Sequence, residues 1–403
     1  MGDDDLRLLE REVRAGAPPE VVRRWAGLLE RRDLLDETVA ALLADLDRDP
    51  HDAHARHVLG ALPAWTAAFG PGGPGVDVAG LREAPVVRWH HPTDRPRTTE
   101  TTISTPPVLG GALGLAVLHR GWTEVVDPRS GARRWVTDWA SPGDSTIDGH
   151  VLVLRRGEEW MAHDLWTGAL LGKAQAGPGA LGVFGGRIVT WTKAGADVGR
   201  IEARRWRYTA PPEPEPCWAF EVEGGFRPRL NRCGDRIALA GHGPEVAVVE
   251  AESGLCWTRR GNYACGDDRD VVVQAGSTST CCALDGTPRW TATGNLPALG
   301  ERRVLLDVAT GSGHAFTFVD RQTGEVAAVI ERENAWRRHA LARDVVYFFE
   351  PGGLEACSDE GAPLWRVPRA TFPTSGVTIV PLDRALVAYF DDLSLLCFAA
   401  AGS

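Results

Sequence analysis

Long apolar runs are missing from this chain. No stretch approaches the ~18 uninterrupted apolar residues that a membrane-spanning helix needs. An apolar run is missing after Met1 as well. The opening MGDDDLRLLEREVRAG is acidic and amphipathic, unlike a signal peptide, and Leu6 stands where a myristoylation signal needs Ser or Thr. Lysine is almost absent, 2 residues against 42 arginines, which reads as the base composition of a GC-rich bacterial genome and not as chemistry. The eight cysteines include no C-x-x-C pair and no even framework, so with no export signal the expectation is reduced thiols in the cytoplasm. Positive charge is in deficit too. A formal net charge of −10 attracts neither a nucleic acid nor an anionic membrane surface, and neither is expected as a partner.

What is present is ample material for a core. The 403 residues are 43% hydrophobic and 24% charged, the balance of a large globular fold with a smaller companion. Residues 1–65 read as an acidic α-helical domain, with 9 Arg against 14 Asp plus Glu. Pro18-Pro19 opens one helix, in which Val21, Val22, Trp25, Leu28 and Leu29 recur at helical spacing. Leu34, Leu35, Val39, Leu42, Leu43 and Leu46 form another after Asp33 as N-cap, and a shorter helix follows over 51–62. Residues 66–84, beginning TAAFGPGGPGVDVAG, carry Gly and Pro at linker density.

From residue 85 the helical period gives way to short strands, and one module keeps returning. It is an apolar strand, a turn of the form Asp-x-x-(Thr/Ser)-Gly, and a strand with Trp. It occurs as VVDPRSGARRW (125–135), AHDLWTGALL (162–171), VVEAESGLCW (248–257), CALDGTPRW (282–290), FVDRQTGEVAAV (318–329) and CSDEGAPLW (357–365). The turn positions 127, 164, 250, 285, 320 and 358 are separated by 37, 86, 35, 35 and 38 residues. The interval of 86 is two periods, and the degenerate stretch 187–222, with its Pro-rich excursion, fills it. Strand-only repeats of this length mean a β-propeller, one small sheet per repeat. The Trp strand 86–89 lacks preceding partners and the last strands lack a Trp strand, so pairing the two closes a ring over 85–403. Eight blades are expected, or seven if 187–222 is only an insertion.

On these residues the chain resembles the quinoprotein-like (PQQ-like, WD40-like) β-propeller repeat family. The resemblance implies that Asp127, Asp164, Asp285 and Asp320 set the turns and that Trp89, Trp135, Trp218, Trp257, Trp290 and Trp365 pack between blades. That family includes pyrroloquinoline-quinone dehydrogenases and also propellers without cofactor that act as protein-binding scaffolds. Some of the dehydrogenases set a vicinal disulfide against the quinone, which makes Cys281-Cys282 a test case. Adjacent strand residues point to opposite faces, and Cys256 and Cys357 fill comparable repeat positions, so packing thiols are the expectation.

Other chemistry fails on its spacing. DLDRDPHDAHAR (45–56) lacks the glycine and the final acid of a calcium loop, and His51, His54 and His57 have no fixed carboxylate or cysteine beside them. GALLGK (168–173) is one residue short of a phosphate loop and has Ala174 at the Mg²⁺ position. His90-His91 reads as an exposed pair at a strand end, and no hydrolase elbow or zinc-protease motif occurs. No catalytic, cofactor or metal residue is therefore expected. The reading is a non-catalytic scaffold or adaptor with a protein partner, in the manner of a subunit of a bacterial signalling or defence assembly. Trp25 and the polar loops carrying Arg95, Arg97, Glu213 and Glu215 are the candidate contacts. The alternative is a ligand sensor or quinoprotein-type oxidoreductase using the central channel.

Overall fold

Three helices form where the apolar spacing placed them, and one more forms over the amphipathic opening. In the computed structural model α1 spans Asp3–Arg14, α2 Pro19–Glu30, α3 Leu35–Arg48 and α4 Ala53–Ala61. Pro19 sits in the first turn of α2, where its missing N–H costs nothing, and Asp52 caps α4 by accepting from the Ala55 N–H at 2.8 Å. The expected cap of α3, Asp33, lies outside the described residues, and Leu34 holds the N-cap position without a side-chain bond. The structure describes residues 3–401 except 33, 63–64, 68–79, 93–107, 120, 139–144, 157, 176–178, 224–227, 234–235, 242, 268, 311–312, 333–338, 351, 373–376, 383–384 and 391–393.

The rest is an eight-bladed β-propeller. Blade 1 covers 108–137, blade 2 146–175, blade 3 180–223, blade 4 229–260, blade 5 263–293, blade 6 295–332 and blade 7 339–368. Blade 8 is 377–400 with Pro85–His91 as its outermost strand, paired antiparallel to Leu395–Ala400. Ring closure by the 86–89 segment is thus observed. The degenerate stretch is a full blade, which removes the seven-bladed alternative. Middle strands such as Ala385–Phe390 are buried on both faces, because each blade is covered by a neighbour on either side. Blades 4 and 5 are also bridged directly, through Cys233 and Gly266 on their innermost strands.

The repeated sequence motif is a bolt between blades. In six of the eight blades the Trp of the outermost strand donates its indole N–H to a turn carbonyl of the next blade. Trp89 reaches Pro128 O at 3.0 Å, Trp135 Leu165 O at 3.0 Å and Trp218 Ala251 O at 2.9 Å. Trp257 reaches Leu284 O at 2.9 Å, Trp290 Arg321 O at 2.9 Å and Trp365 Leu81 O at 2.7 Å. The turn's acid folds that carbonyl into place. Asp164 Oδ1 accepts from the Thr167 N–H at 2.7 Å, and Asp320 Oδ1 from the Gln322 and Thr323 N–H groups at 2.9 and 3.0 Å. Asp127 and Asp285 do the same for Arg129 and Thr287. The glycine has two reasons to be glycine. At Gly131 φ is +69°, and a Cβ there would stand 2.5 Å from the Trp89 ring.

Two of the eight junctions lack this ring. Between blades 6 and 7, Ala328 takes the Trp place, and a Cβ added at Gly361 would stand 3.3 Å from its methyl group. Between blades 2 and 3, Gly172 takes it, and a different device replaces the ring.

Candidate interaction surface

In every blade the turns joining first to second and third to fourth strands lie at one end, and the remaining connections lie at the other. The helices lie on the first of these faces, against blades 1, 2 and 7. Val22, Trp25, Leu28, Leu46, Val58 and Leu59 share one apolar core with Leu113, Leu118, Ile147, Leu152 and Leu165 of blades 1 and 2. Each fully buried side chain of this kind contributes about 1.5–3 kcal/mol. Gly60 presses on the turn of blade 2, where an added Cβ would meet His150 N at 2.8 Å. Arg56 pairs at 3.1 Å with Asp164, whose side chain is 1% exposed, and Glu30 of α2 accepts from Arg343 of blade 7 at 2.7 Å. From blade 2 to blade 7 is three of eight steps around the ring. The helical segment therefore overhangs one side of the channel mouth.

The segment that reads as a linker is held at both ends. Trp65–Ala67 adds an antiparallel strand to the inner edge of blade 1, beside the innermost strand of blade 8. The chain's own backbone thus lies on the channel-facing edge. Leu81 then donates its N–H to Tyr347 Oη at 2.6 Å and accepts from Trp365, completing the turn position that blade 8 would otherwise lack.

Beside the helices stands the Pro-rich excursion of blade 3, residues 206–217, on the same face. Its root is built tightly. Trp206 is 1% exposed and meets Tyr208 edge-on, with ring centroids 5.0 Å apart. Tyr208 has φ +61°, a left-handed conformation that a bulky residue adopts only when its surroundings hold it there. Two contacts do so. Its hydroxyl donates to Asp148, which also accepts from the Gly186 N–H at 2.7 Å, and its carbonyl oxygen rests where Gly172 has no Cβ. The excursion closes on its own strand through Glu213 N–H to Arg205 O at 2.8 Å and Cys217 N–H to Ala203 O at 2.7 Å. Asp148 and the Gly149–His150 turn therefore stand between α4 and this root. Burial and the nearby Arg56 guanidinium lower the His150 pKa, while Asp164 opposes them.

The proposed contact residues divide accordingly. Glu213 and Glu215 are exposed on the excursion, with Glu213 3.7 Å from Arg207. Trp25 is not presented to any partner. It is 7% exposed because its helix turns that face onto blades 1 and 2, which corrects the expectation from sequence. Arg95 and Arg97 lie outside the described residues. The excursion's root was invisible in the sequence. Its one signal is Gly172 standing where the repeat has Trp.

Two polar clusters lie within blade junctions at the opposite end. Glu124, wholly buried, takes Nε2 of His91 and of His119 at 3.2 Å each, while Tyr389 Oη meets His119 Nδ1 at 3.3 Å. Burial alone would raise the Glu124 pKa; the two histidine hydrogen bonds outweigh it and hold it at about 2. His91 is thus buried, not exposed as the strand-end reading had it, whereas His90 is exposed. Between blades 6 and 7, His339 lies against Phe316 and Phe348, beside the His314–Asp307 pair at 2.6 Å. Among the described residues no three His, Cys, Asp or Glu side chains are placed to hold a metal, and no helix is long and apolar enough to cross a membrane. Cys281 and Cys282 are unpaired and wholly buried in blade 5, and burial pushes the Cys281 thiol up to about 12, far from a reactive thiolate.

No family model and no curated protein matches the chain. Solved structures do. BamB from Moraxella catarrhalis superposes with a TM-score of 0.55 at 13% identity, over 79% of this chain and all of that one. A europium-containing methanol dehydrogenase gives 0.53 at 9% identity, over 78% of this chain and 93% of that one. The quinohemoprotein alcohol dehydrogenase ADHIIG from Pseudomonas putida HK5 gives 0.51 at 9% identity, over 86% and 80%. At such identities the likeness shows a shared propeller fold and nothing of activity.

Proposed function

We propose that the chain is a non-catalytic interaction scaffold whose binding surface is the helix-bearing face. The observation that carries this reading is the joint construction of that face. The helices share a core with blades 1 and 2, and a Pro-rich excursion is fixed beside them from a strained root. Rigid scaffolds that present irregular loops are the usual carriers of recognition. The partner is a protein, and a subunit role in a bacterial signalling or defence assembly is part of the proposal. So is a reducing, cytoplasmic setting, supported by eight unpaired cysteines, two of them exposed. The channel-ligand alternative has less support, because Trp65–Ala67 occupies the inner edge of blade 1.

Affinity capture from host lysate with the full chain tests the reading. Substitutions on the helix-bearing face are compared with substitutions on exposed residues of the opposite face. A stoichiometric protein lost only with the first set supports the scaffold. Capture of no protein above background, or loss only with the second set, overturns it. A saturable rise in melting temperature with a small metabolite would revive the channel.

A further inference from the structure

We propose that the blade 3 excursion is a preformed proline-rich ligand that docks into an aromatic-lined, basic-rimmed groove on the partner. This rests on the scaffold reading and names the partner's chemistry. The tip reads Ala210-Pro211-Pro212-Glu213-Pro214-Glu215-Pro216, and each residue is either a proline or stands directly before one. Proline fixes its own φ and drives the preceding residue out of the helical region, so the tip's backbone has few conformations left before any partner arrives, and its path bends at Ala210, Pro214 and Glu215.

That backbone cannot join a sheet. Only Ala210, Glu213 and Glu215 carry N–H groups in this stretch, and the Glu213 N–H is already given to Arg205 O at 2.8 Å. What remains outward is a row of carbonyl acceptors and proline rings. Pro211, Glu213, Pro214, Glu215 and Pro216 are all exposed. Pro211 and Pro214 stand three residues apart, and their exposed rings are the apolar edge of that row. A groove that reads such an edge supplies aromatic rings for the prolines and N–H or O–H donors for the carbonyls. The entropy of ordering the ligand is already spent. The two glutamates, beside an acidic helical segment, select a rim of arginine or lysine.

The root distinguishes this tip from a slack surface loop. Tyr208 at φ +61° is held by Asp148, by Trp206 and by the missing Cβ of Gly172, so the tip leaves the blade at a fixed place. A strained residue held from three sides is what presentation of a ligand requires.

The probe is a set of purified SH3 modules, some with basic and some with acidic groove rims, titrated against the native full chain. Saturable binding by basic-rimmed modules is expected, weakened about tenfold by Pro211→Ala with Pro214→Ala. Glu213→Gln with Glu215→Gln should remove its salt dependence. Both double variants keep the root, and an unchanged melting temperature confirms that they fold. The proposal is overturned if no basic-rimmed module binds, or if the proline variant binds as the native chain does. Lysate capture separates this from the scaffold reading. A partner retained in full by the proline variant leaves the scaffold standing and sinks the ligand. Absence of any captured protein sinks the scaffold, while the module titration still reads the tip.

Discussion

The carbonyl oxygen of Tyr208 lies 1.8 Å from where a Cβ on Gly172 would stand. The partner atom belongs to backbone that Trp206 and Asp148 already hold, so residue 172 has no room to grow and little room to yield. Gly172→Ala is expected to destabilise the protein by roughly 1–3 kcal/mol through overpacking. Proteolysis should then cut the excursion first, because its root is the part pushed out. A melting curve and a limited digest of the variant measure both effects. Unchanged stability together with an unchanged digest would mean that Tyr208 does not lock this junction.

The same accounting of space separates the thiols. Cys217 and Cys256 are exposed, and the other six cysteines are buried. Burial first, then the neighbouring Glu250, raises the Cys256 pKa, whereas thiol reagents attack the thiolate. The native protein should therefore titrate two thiols with a chromogenic disulfide, one slower than the other, and eight after unfolding. A vicinal disulfide at Cys281-Cys282 would leave only six reactive thiols after unfolding without reductant.

The indole bolts divide their contribution between ring and N–H. Trp290 is 8% exposed and donates to Arg321 O, which sits between buried blades. Trp290→Phe keeps most of the ring and forfeits one hydrogen bond, at a cost of about 1 kcal/mol. Trp290→Ala also opens a cavity over Gly324 and should cost about 3–5 kcal/mol. Chemical denaturation of the two variants gives the ratio, and equal losses would show that the hydrogen bond, not the ring, fixes the junction.

Much of the ring was legible from sequence because its chemistry is local and repeated. Asp164, Thr167 and Gly168 shape a turn from five consecutive residues, and Trp135 follows the previous blade's copy at a constant offset. Closure was legible because 86–89 had a Trp and no partners. The helices' packing was not. Leu28, Leu46 and Trp25 declare an apolar stripe but not what it meets, and the surface they meet consists of strand residues such as Leu118 and Leu152 that any propeller blade would carry. The candidate site was half legible for the same reason. Glu213 and Glu215 stand out as a polar loop, while Tyr208, Gly172 and Asp148 come together only in space, across 36 and 60 residues of chain.

Because the helices and blades 1 and 2 share one core, they should melt as one unit. Val58 is 1% exposed in that core, and Val58→Ala removes its two γ-methyl groups at a cost of roughly 1–3 kcal/mol. Calorimetry should show a single transition moved down as a whole. A separate early transition, with the propeller's own melting unmoved, would show that the helical segment folds independently of the ring.

Acid sensitivity should concentrate on one residue. His339 is 8% exposed, and neither ring nitrogen has a hydrogen-bond partner among the described residues. Burial, with a smaller repulsion from His314, pushes its pKa down from 6.5 to about 4. Between those values the unfolded chain takes up a proton that the folded chain refuses, so stability falls as pH drops from about 6.5 and levels off near 4. The span of about 2.5 units corresponds to on the order of 3 kcal/mol. Glu124 acts in a separate window: its pKa of about 2 against 4.5 means that its stabilisation is present above 4.5 and lost between 4.5 and 2. His150 and His163 are lowered as well, mainly by burial, and act in the same direction as His339. His339→Leu should therefore flatten most of the decline between pH 6.5 and 4 and leave the lower limb intact. Urea unfolding of both proteins at pH 7.5, 5 and 4 reads this directly. If the variant loses stability as steeply as the native chain over that range, His339 is not the group that titrates.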